Sequence, residues 1–429
     1  MTEIMLLRAA APSAGRRSRT MLGYLLMPRP KDLVKGLLIP TTYVLGLLSA
    51  GDVTGTSLLR AGVVLLAVEL LIYPARYQWN DIRGFAADQQ HPASNDRGRL
   101  PGPLSSARAH VFASCAVIVA RLAVTGVLIV SLPGLDLGPI LGFATLGVFG
   151  VAIVYEMLRS VSTGRSGDIP APLSTGIVLL WLTAGGGYVV RGITGLALAV
   201  ELTARPTLAV AAAITLWAYG IAFVTGRWAM EATAFASAVD GRVVWHARAG
   251  QAREHLLALV RWLPTRVSGQ IDDLKDWAPL RESTSQVAPW HLAAITAGGA
   301  AAVTGRLLCG PCTVGDGVAA TVVGAVTTAV VTAGARWRPP LILLGAAGVA
   351  VSMVLMGSPR PGLAVLPWLL LMGAYLFFST RTMRRFERPN ALGAIAAGIG
   401  SAVGRFVVGR ATWEAMTGQQ GVSVTDAHA

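Results

Sequence analysis

The run Leu58-Leu59-Arg60-Ala61-Gly62-Val63-Val64-Leu65-Leu66-Ala67-Val68-Glu69-Leu70-Leu71-Ile72-Tyr73-Pro74-Ala75-Arg76-Tyr77-Gln78 passes through Trp79 into Asn80-Asp81-Ile82-Arg83-Gly84-Phe85-Ala86-Ala87-Asp88-Gln89-Gln90-His91-Pro92. About 20 largely apolar residues suffice for a helix to cross the hydrocarbon core of a bilayer. The first part therefore reads as a membrane span, and the second as a polar helix emerging from it. Carboxylates at that depth are costly unless they line a wet cavity or bind a cation. At ~100° per residue, Asp81 and Asp88 leave a helix from nearly the same side, two turns apart. Two carboxylates and the Asn80 amide on one face form an oxygen-donor set of the kind that holds Mg2+, an ion that often bridges to substrate phosphates.

Working outward, apolar stretches of the same length recur along the whole chain, roughly at 33–51, 58–78, 108–132, 137–157, 172–191, 207–226, 290–308, 317–335, 339–357 and 362–380. The chain is 53% hydrophobic and 14% charged, so these stretches are too many and too continuous for a water-soluble core. The predicted fold is all-α, a polytopic transmembrane bundle of nine to ten spans. Residues 1–31 read as a basic cytoplasmic arm, 32–385 as the transmembrane domain with a long cytoplasmic loop at 227–289, and 386–429 as an interfacial helix and tail. The first 25 residues lack the continuous apolar region and cleavage site of a signal peptide.

The formal charge of +14 is not scattered. Basic residues gather at the N-terminus (Arg8 to Lys31) and at Arg83, Arg97, Arg99 and Arg108. They recur at Arg159 and Arg165, along Arg227 to Arg281, at Arg336 and Arg338, and at Arg381 to Arg388. The alternate connections carry little beyond Arg60, Arg191, Arg205, Arg306 and Arg360. This is the positive-inside pattern, which puts both termini in the cytoplasm of a multi-pass protein of the cell's inner (plasma) membrane. Anionic lipid head groups account for the charge, and no nucleic acid partner is expected. Cys309 and Cys312 have the Cys-x-x-Cys spacing of a redox pair but lack a βαβ context, and Cys115 lies within a span. His91 belongs with Pro92 to a turn, since no second histidine is spaced to join it on a metal.

Arg29-Pro30 followed by Lys35 before span one, with Asn80-Asp81 and Asp88 after span two, resembles the UbiA superfamily of intramembrane prenyltransferases. Asn80-Asp81-Ile82-Arg83 followed by Asp88-Gln89-Gln90-His91-Pro92 is most similar to its decaprenyl-phosphate phosphoribosyltransferase branch. Arg97-Gly98-Arg99-Leu100-Pro101 resembles the basic stretch that follows this motif in the family. Tyr155 with Arg159, and Arg227-Trp228-Ala229 with Glu231, are weaker matches. The likeness covers residues 28–260; beyond them only hydropathy agrees.

The resemblance implies Mg2+-dependent transfer from a diphosphate donor, with Asp81 and Asp88 catalytic and Asn80, Asp81 and Asp88 as metal ligands. Substrate would be held by Lys35, Arg83, Arg97, Arg99, Tyr155, Arg159, Arg227 and Glu231, guanidinium groups matching phosphate oxygens in bidentate geometry. The partners implied are a prenyl diphosphate or polyprenyl phosphate lipid and a small-molecule acceptor or donor, within membrane lipid. Phosphoribosyl transfer to a polyprenyl phosphate, an intramembrane terpene cyclase and a non-catalytic lipid-binding or transport relative are the alternatives. Two departures stand out. The family's middle acid is Gly84 here, and the second acidic motif is either Glu231 with Asp240 or Asp272 with Asp276. Glu69, buried in span two, is expected to hydrogen-bond within the bundle, and Trp79 to anchor at the interface.

Overall fold

The computed structural model describes residues 20–51, 53–90, 98–164, 166–246, 253–267, 269, 271, 273–282, 284–387 and, between 395 and 417, residues 395, 398, 399, 401–403, 405, 406 and 409–417. The expectations placed on His91, Pro92, Arg97, Arg165 and Asp272, and on most of the C-terminal helix, lie outside them. Among the described residues, nine helices are long and apolar enough to cross a membrane: Met21–Ala50, Gly55–Gln89, Leu104–Ser131, Gly138–Ser162, Thr175–Ala197, Pro206–Phe235, Val314–Ala333, Ala335–Leu355 and Pro361–Ser379. The protein is a polytopic helical bundle.

In chain order, α1 (Met21–Leu26) leads through a 3-10 segment (Pro30–Leu37) into α2 (Leu38–Ala50). The next span is continuous, from α3 (Gly55–Leu66) through a π-helical stretch (Ala67–Ile72) into α4 (Tyr73–Gln89). Then follow α5 (Ala107–Ser131), α6 (Gly138–Ser162), α7 (Thr175–Ala184), α8 (Gly186–Ala197) and α9 (Pro206–Ala232). After the connecting segment come α11 (Pro289–Leu308), α12 (Val314–Ala333), α13 (Arg338–Leu355) and α14 (Pro361–Ser379).

The expected span not among these nine, 290–308, is α11, a 20-residue helix that falls short of the others in apolarity. Its position explains why. It packs against α9, α12 and α14, and Ala293, Ala294, Ala297, Ala301 and Ala302 are buried there. A helix shielded by its neighbours needs small residues for close backbone approach, not a lipophilic coat. A Cβ on Gly305 would lie 1.8 Å from the carbonyl oxygen of Ala364 on α14.

Two large apolar cores divide the bundle, with a smaller cluster of Leu45, Leu196, Leu208 and Leu308 among the other buried groups. One gathers α7, α9 and α11–α14 with the 253–288 segment; the other gathers α2, α3, α4, α6 and part of α8. Helix α8 joins them by packing on α2 and α9. The Gly185-Gly186-Gly187 run serves this packing, because a Cβ on Gly185 would lie 2.4 Å from the Trp217 carbonyl oxygen of α9.

The described residues between α9 and α11 form a folded cap. Strands β1 (Ala236–Val239) and β2 (Arg242–Trp245) pair antiparallel, Ala236 opposite Trp245, around Asp240-Gly241. Both turn residues have positive φ, 50° and 71°, as a tight hairpin of right-handed twist requires. The one-turn helix α10 (Glu254–Leu257) is buried and packs on α7 and α9. Glu254 accepts from the backbone N–H groups of Gly164 and Ser166, at 2.6 and 2.8 Å, which ties the cap to the end of α6.

Candidate functional site

Helix α4 buries Tyr77, Asn80, Asp81, Gly84, Phe85 and Asp88 and leaves Arg83, Ala86 and Ala87 on its outer side. This is the 3.6-residue stripe of an amphipathic helix with polar groups on its inner face. Asp81 is wholly buried and Asp88 is 5% exposed, so the two acids share the inward side expected of them.

What meets them is a set of guanidinium groups. Asp81 pairs with Arg29 and, at 2.9 Å, with Arg99; the Tyr24 hydroxyl donates to its other oxygen at 3.3 Å. Asp88 pairs at 2.7 Å with Arg253 from the cap, and Arg99 stands 3.9 Å from its second oxygen. Asn80 accepts from Arg29 at 2.8 Å and donates to Glu156 of α6. Buried carboxylates need such partners, since desolvating a lone ion is far more costly than desolvating a paired one.

Arg83 lies on the outer side of α4 and reaches α6, bonding Glu156 at 3.1 Å and Ser160 at 3.0 Å. It clamps two helices together and does not face Asp81. Arg159 also pairs with Glu156, at 2.6 Å, and its guanidinium is 6.0 Å from the Tyr155 ring centroid. Tyr155 stands beside Trp228 of α9, ring centroids 6.2 Å apart. Gly84, where the middle acid is missing, points inward: a Cβ there would lie 3.1 Å from Asp88 Oδ2 and 4.0 Å from Arg159 Nη2.

Residues 20–37, ahead of α2, are part of this site. Arg121 of α5 donates to the carbonyls of Leu25 and Leu26, at 2.9 and 2.8 Å, and so caps the end of α1. That fixes Tyr24, fully buried, against Asp81. Asp32, in the 3-10 segment, pairs with Lys35 at 2.8 Å and stands 3.9 Å from Arg227 of α9. Glu231 is half-buried one turn beyond Arg227.

Of the candidates for a second acidic motif, Asp272 lies outside the described residues, Asp240 stands at the hairpin turn and Glu231 on α9. Asp240 is exposed. Asp276 closes a 3-10 turn (Leu274–Asp276), not an α-helix, and joins Asp273 in binding Arg384 at the surface. Deeper in the bundle, Glu69 takes both arms of Arg191, at 2.7 and 3.2 Å. Arg191, expected on an outer connection, is therefore a buried residue of α8, and its guanidinium lies 3.2 Å from the Tyr73 ring centroid.

Beside this network lies a cavity of about 950 Å³ in the seam between the two cores. Its walls come from α2, α8, α9, α11 and α14, with Leu45, Leu196, Leu216 and Leu308 deep inside. Leu37, Leu370 and Phe377 line it while remaining 48%, 45% and 50% exposed, so it opens sideways between the first and last spans. One end is cationic: Lys31, Lys35, Arg227, Arg381 and Arg385 line it, and among the described lining residues there is no carboxylate. Below them Tyr188, Tyr219 and Phe223 form an aromatic tier, the Tyr188 ring centroid 5.6 Å from Tyr219 and 5.9 Å from Phe223. The Tyr188 side chain is buried, and its hydroxyl has no hydrogen-bond partner among the described residues.

Asp81 and Asp88 do not line this cavity; Asp32 binds two of its lining cations, Lys35 and Arg227. As arranged, the oxygens of Asp81 and Asp88 serve guanidinium groups, and among the described residues no three His, Cys, Asp or Glu side chains gather around one point. Asn80, Asp81 and Asp88 would supply two carboxylates and an amide from one buried face, and magnesium is commonly held by one or two carboxylates together with substrate phosphates. Sequence reasoning missed Tyr24, Asp32, Glu156, Arg253 and the aromatic tier. An acid inside the apolar stretch 137–157 is itself a signal for Glu156, whereas nothing local marks Arg253. Comparison with family models, with curated proteins and with solved structures finds no match to this chain.

Proposed function

We propose that the protein is an intramembrane transferase of the UbiA type, taking a polyprenyl lipid into the seam cavity and acting at the carbon–oxygen bond next to its diphosphate. The observation that carries this reading is one cavity with apolar walls, a sideways opening and an end lined by Lys and Arg side chains. An isoprenoid chain would lie along Leu45, Leu216 and Leu308, and its phosphates would meet Lys35 and Arg227. When the allylic C–O bond breaks, the electron pair leaves with the diphosphate. Cations already in place stabilise that developing charge without reorganising. The aromatic tier would face the allylic carbon, where ring faces favour positive charge. The acceptor's nucleophile then forms the new bond and loses its proton. A diphosphate brings its own magnesium counter-ion to such a site, so activity is expected to require the ion.

A second reading is favoured by the separation of cavity and acidic network. Phosphoribosyl transfer would place a polyprenyl phosphate in the cavity as nucleophile. The water-soluble diphosphate donor would then sit among Arg29, Arg99 and Arg253, with Asp81 and Asp88 orienting those guanidinium groups.

Photolabelling tests the common part. A diazirine-bearing farnesyl diphosphate should mark Leu45, Leu216 or Leu371, and unlabelled farnesyl diphosphate should compete where farnesol does not. Labelling confined to the outward faces of α12 and α13 (Val322, Leu343) would overturn the assignment.

A further inference from the structure

Past the last span stands a short helix, α15 (Met383–Glu387), in a region where the chain shows no family likeness. Five residues cannot sustain a helix in isolation, because nucleation is costly and propagation too brief to offset it. Its position must come from tertiary contacts, and two sets of contacts point in different directions. Arg384 turns to the cap and donates to Asp276 Oδ1 at 2.6 Å, Asp276 Oδ2 at 2.9 Å and Asp273 Oδ2 at 2.8 Å. Arg381, Arg385 and Phe386 turn to the seam cavity and line its cationic end. The Phe386 ring lies 5.6 Å from the guanidinium of Arg227, and Arg381 lies 4.0 Å from the centre of the Phe377 ring.

We propose that α15 is a strap completing an anion site for the phosphate of a single-chain lipid at the cavity mouth, and that the grip of Asp273 and Asp276 on Arg384 holds it there. The inference rests on the lipid-binding reading above and adds the element that sets its affinity. Segments far apart in sequence (Lys31 and Lys35, Arg227, and Arg381 with Arg385) bring their charges to one opening. Cations gathered at a low-dielectric cleft repel one another and raise the local concentration of an anion. Arg384 and Arg385 are neighbours ~100° apart on the helix, so one residue can be held by the cap while the next faces the ligand. Asp273 and Asp276 therefore act at a distance, as positioning residues.

The test uses the full chain in nanodiscs of neutral phosphatidylcholine and measures the affinity of farnesyl phosphate. Arg384→Ala and the double variant Asp273→Ala/Asp276→Ala should each weaken it about five- to tenfold, on the scale of one ordinary hydrogen bond. The thermal midpoint and the uptake of farnesol should stay unchanged. Exchanging the charges, Arg384→Asp with Asp276→Arg, should recover part of the loss, which a merely structural role would not. Wild-type affinity in both strap variants would overturn the strap. Inorganic phosphate binding as tightly as farnesyl phosphate, or complete displacement by phosphatidylglycerol in the disc, would overturn the single-chain lipid assignment. Failure of the wild-type protein to bind farnesyl phosphate at all would instead overturn the reading of the cavity, and the strap with it.

Discussion

Asp81 shows how far a single residue can be read from sequence. Its inward direction follows from periodicity alone, since Asn80, Asp81, Gly84 and Asp88 recur at helical spacing and all are buried. Its partners do not follow, because Tyr24, Arg29 and Arg99 come from separate segments, and Arg253, on Asp88, comes from a cap some 165 residues further along. Periodicity reports which face a side chain occupies; it does not report what other parts of the chain supply to that face. Two predictions belong at this scale. Arg227→Ala removes a charge-assisted contact to phosphate, a loss of about 1.5–3 kcal/mol, so affinity for farnesyl diphosphate should fall roughly ten- to hundredfold in a binding titration. Lys35→Ala should show a similar fall, and Arg83→Ala, which lies off the cavity, should not. The second concerns Glu69 and Arg191. Removing one member of a buried pair leaves the other uncompensated and costs about 3–5 kcal/mol. Arg191→Met should therefore lower thermal stability sharply, while Glu69→Leu with Arg191→Met should recover much of the loss.

Elements were legible where lipid dictates composition and obscure where protein does. The outer helices α5, α12 and α13 bury little of themselves and read plainly as apolar runs. Helix α11 is buried on many sides, and small residues replaced lipophilic ones, so a hydropathy pattern that located it could not rank it with the others. The cap was read only as a long loop because its hairpin, one-turn helix and 3-10 turns are too short for periodicity to register. At this scale the seam between α2 and α8 is the vulnerable contact. A Cβ on Gly195 would lie 2.2 Å from the Ile39 carbonyl oxygen and 2.2 Å from Thr42 Oγ1. Overpacking of this kind costs about 1–3 kcal/mol. Gly195→Ala should lower the thermal midpoint and, by moving α2, reduce photolabelling of Leu45; Gly142→Ala, with open space around it, should do neither.

For the whole molecule, composition and charge pattern together gave the bundle, and its number of crossings has a direct chemical test. If α11 crosses, Cys312 lies on the side opposite the N-terminus; if it does not, both share a side. An impermeant maleimide should label Cys312 in intact cells and spare a cysteine introduced in place of Ser285. Burial pushes the thiols of Cys309 and Cys312 above the usual range, so less thiolate is present at neutral pH, and labelling should accelerate as pH rises from 7 to 9. Labelling of Cys312 only in inverted vesicles would leave α11 uncrossed.

The central claim is that the seam cavity with its cationic end takes a prenyl lipid and releases its diphosphate. The most direct measurement is diphosphate release by the purified, lipid-reconstituted protein, offered prenyl diphosphates of several lengths with magnesium, then phosphoribosyl diphosphate with polyprenyl phosphate. The account predicts magnesium-dependent release from one of these donors, lost in Arg227→Ala and Asp81→Ala and retained in Arg83→Ala. Release from none of them by a folded protein, or release untouched by Arg227→Ala, would contradict it.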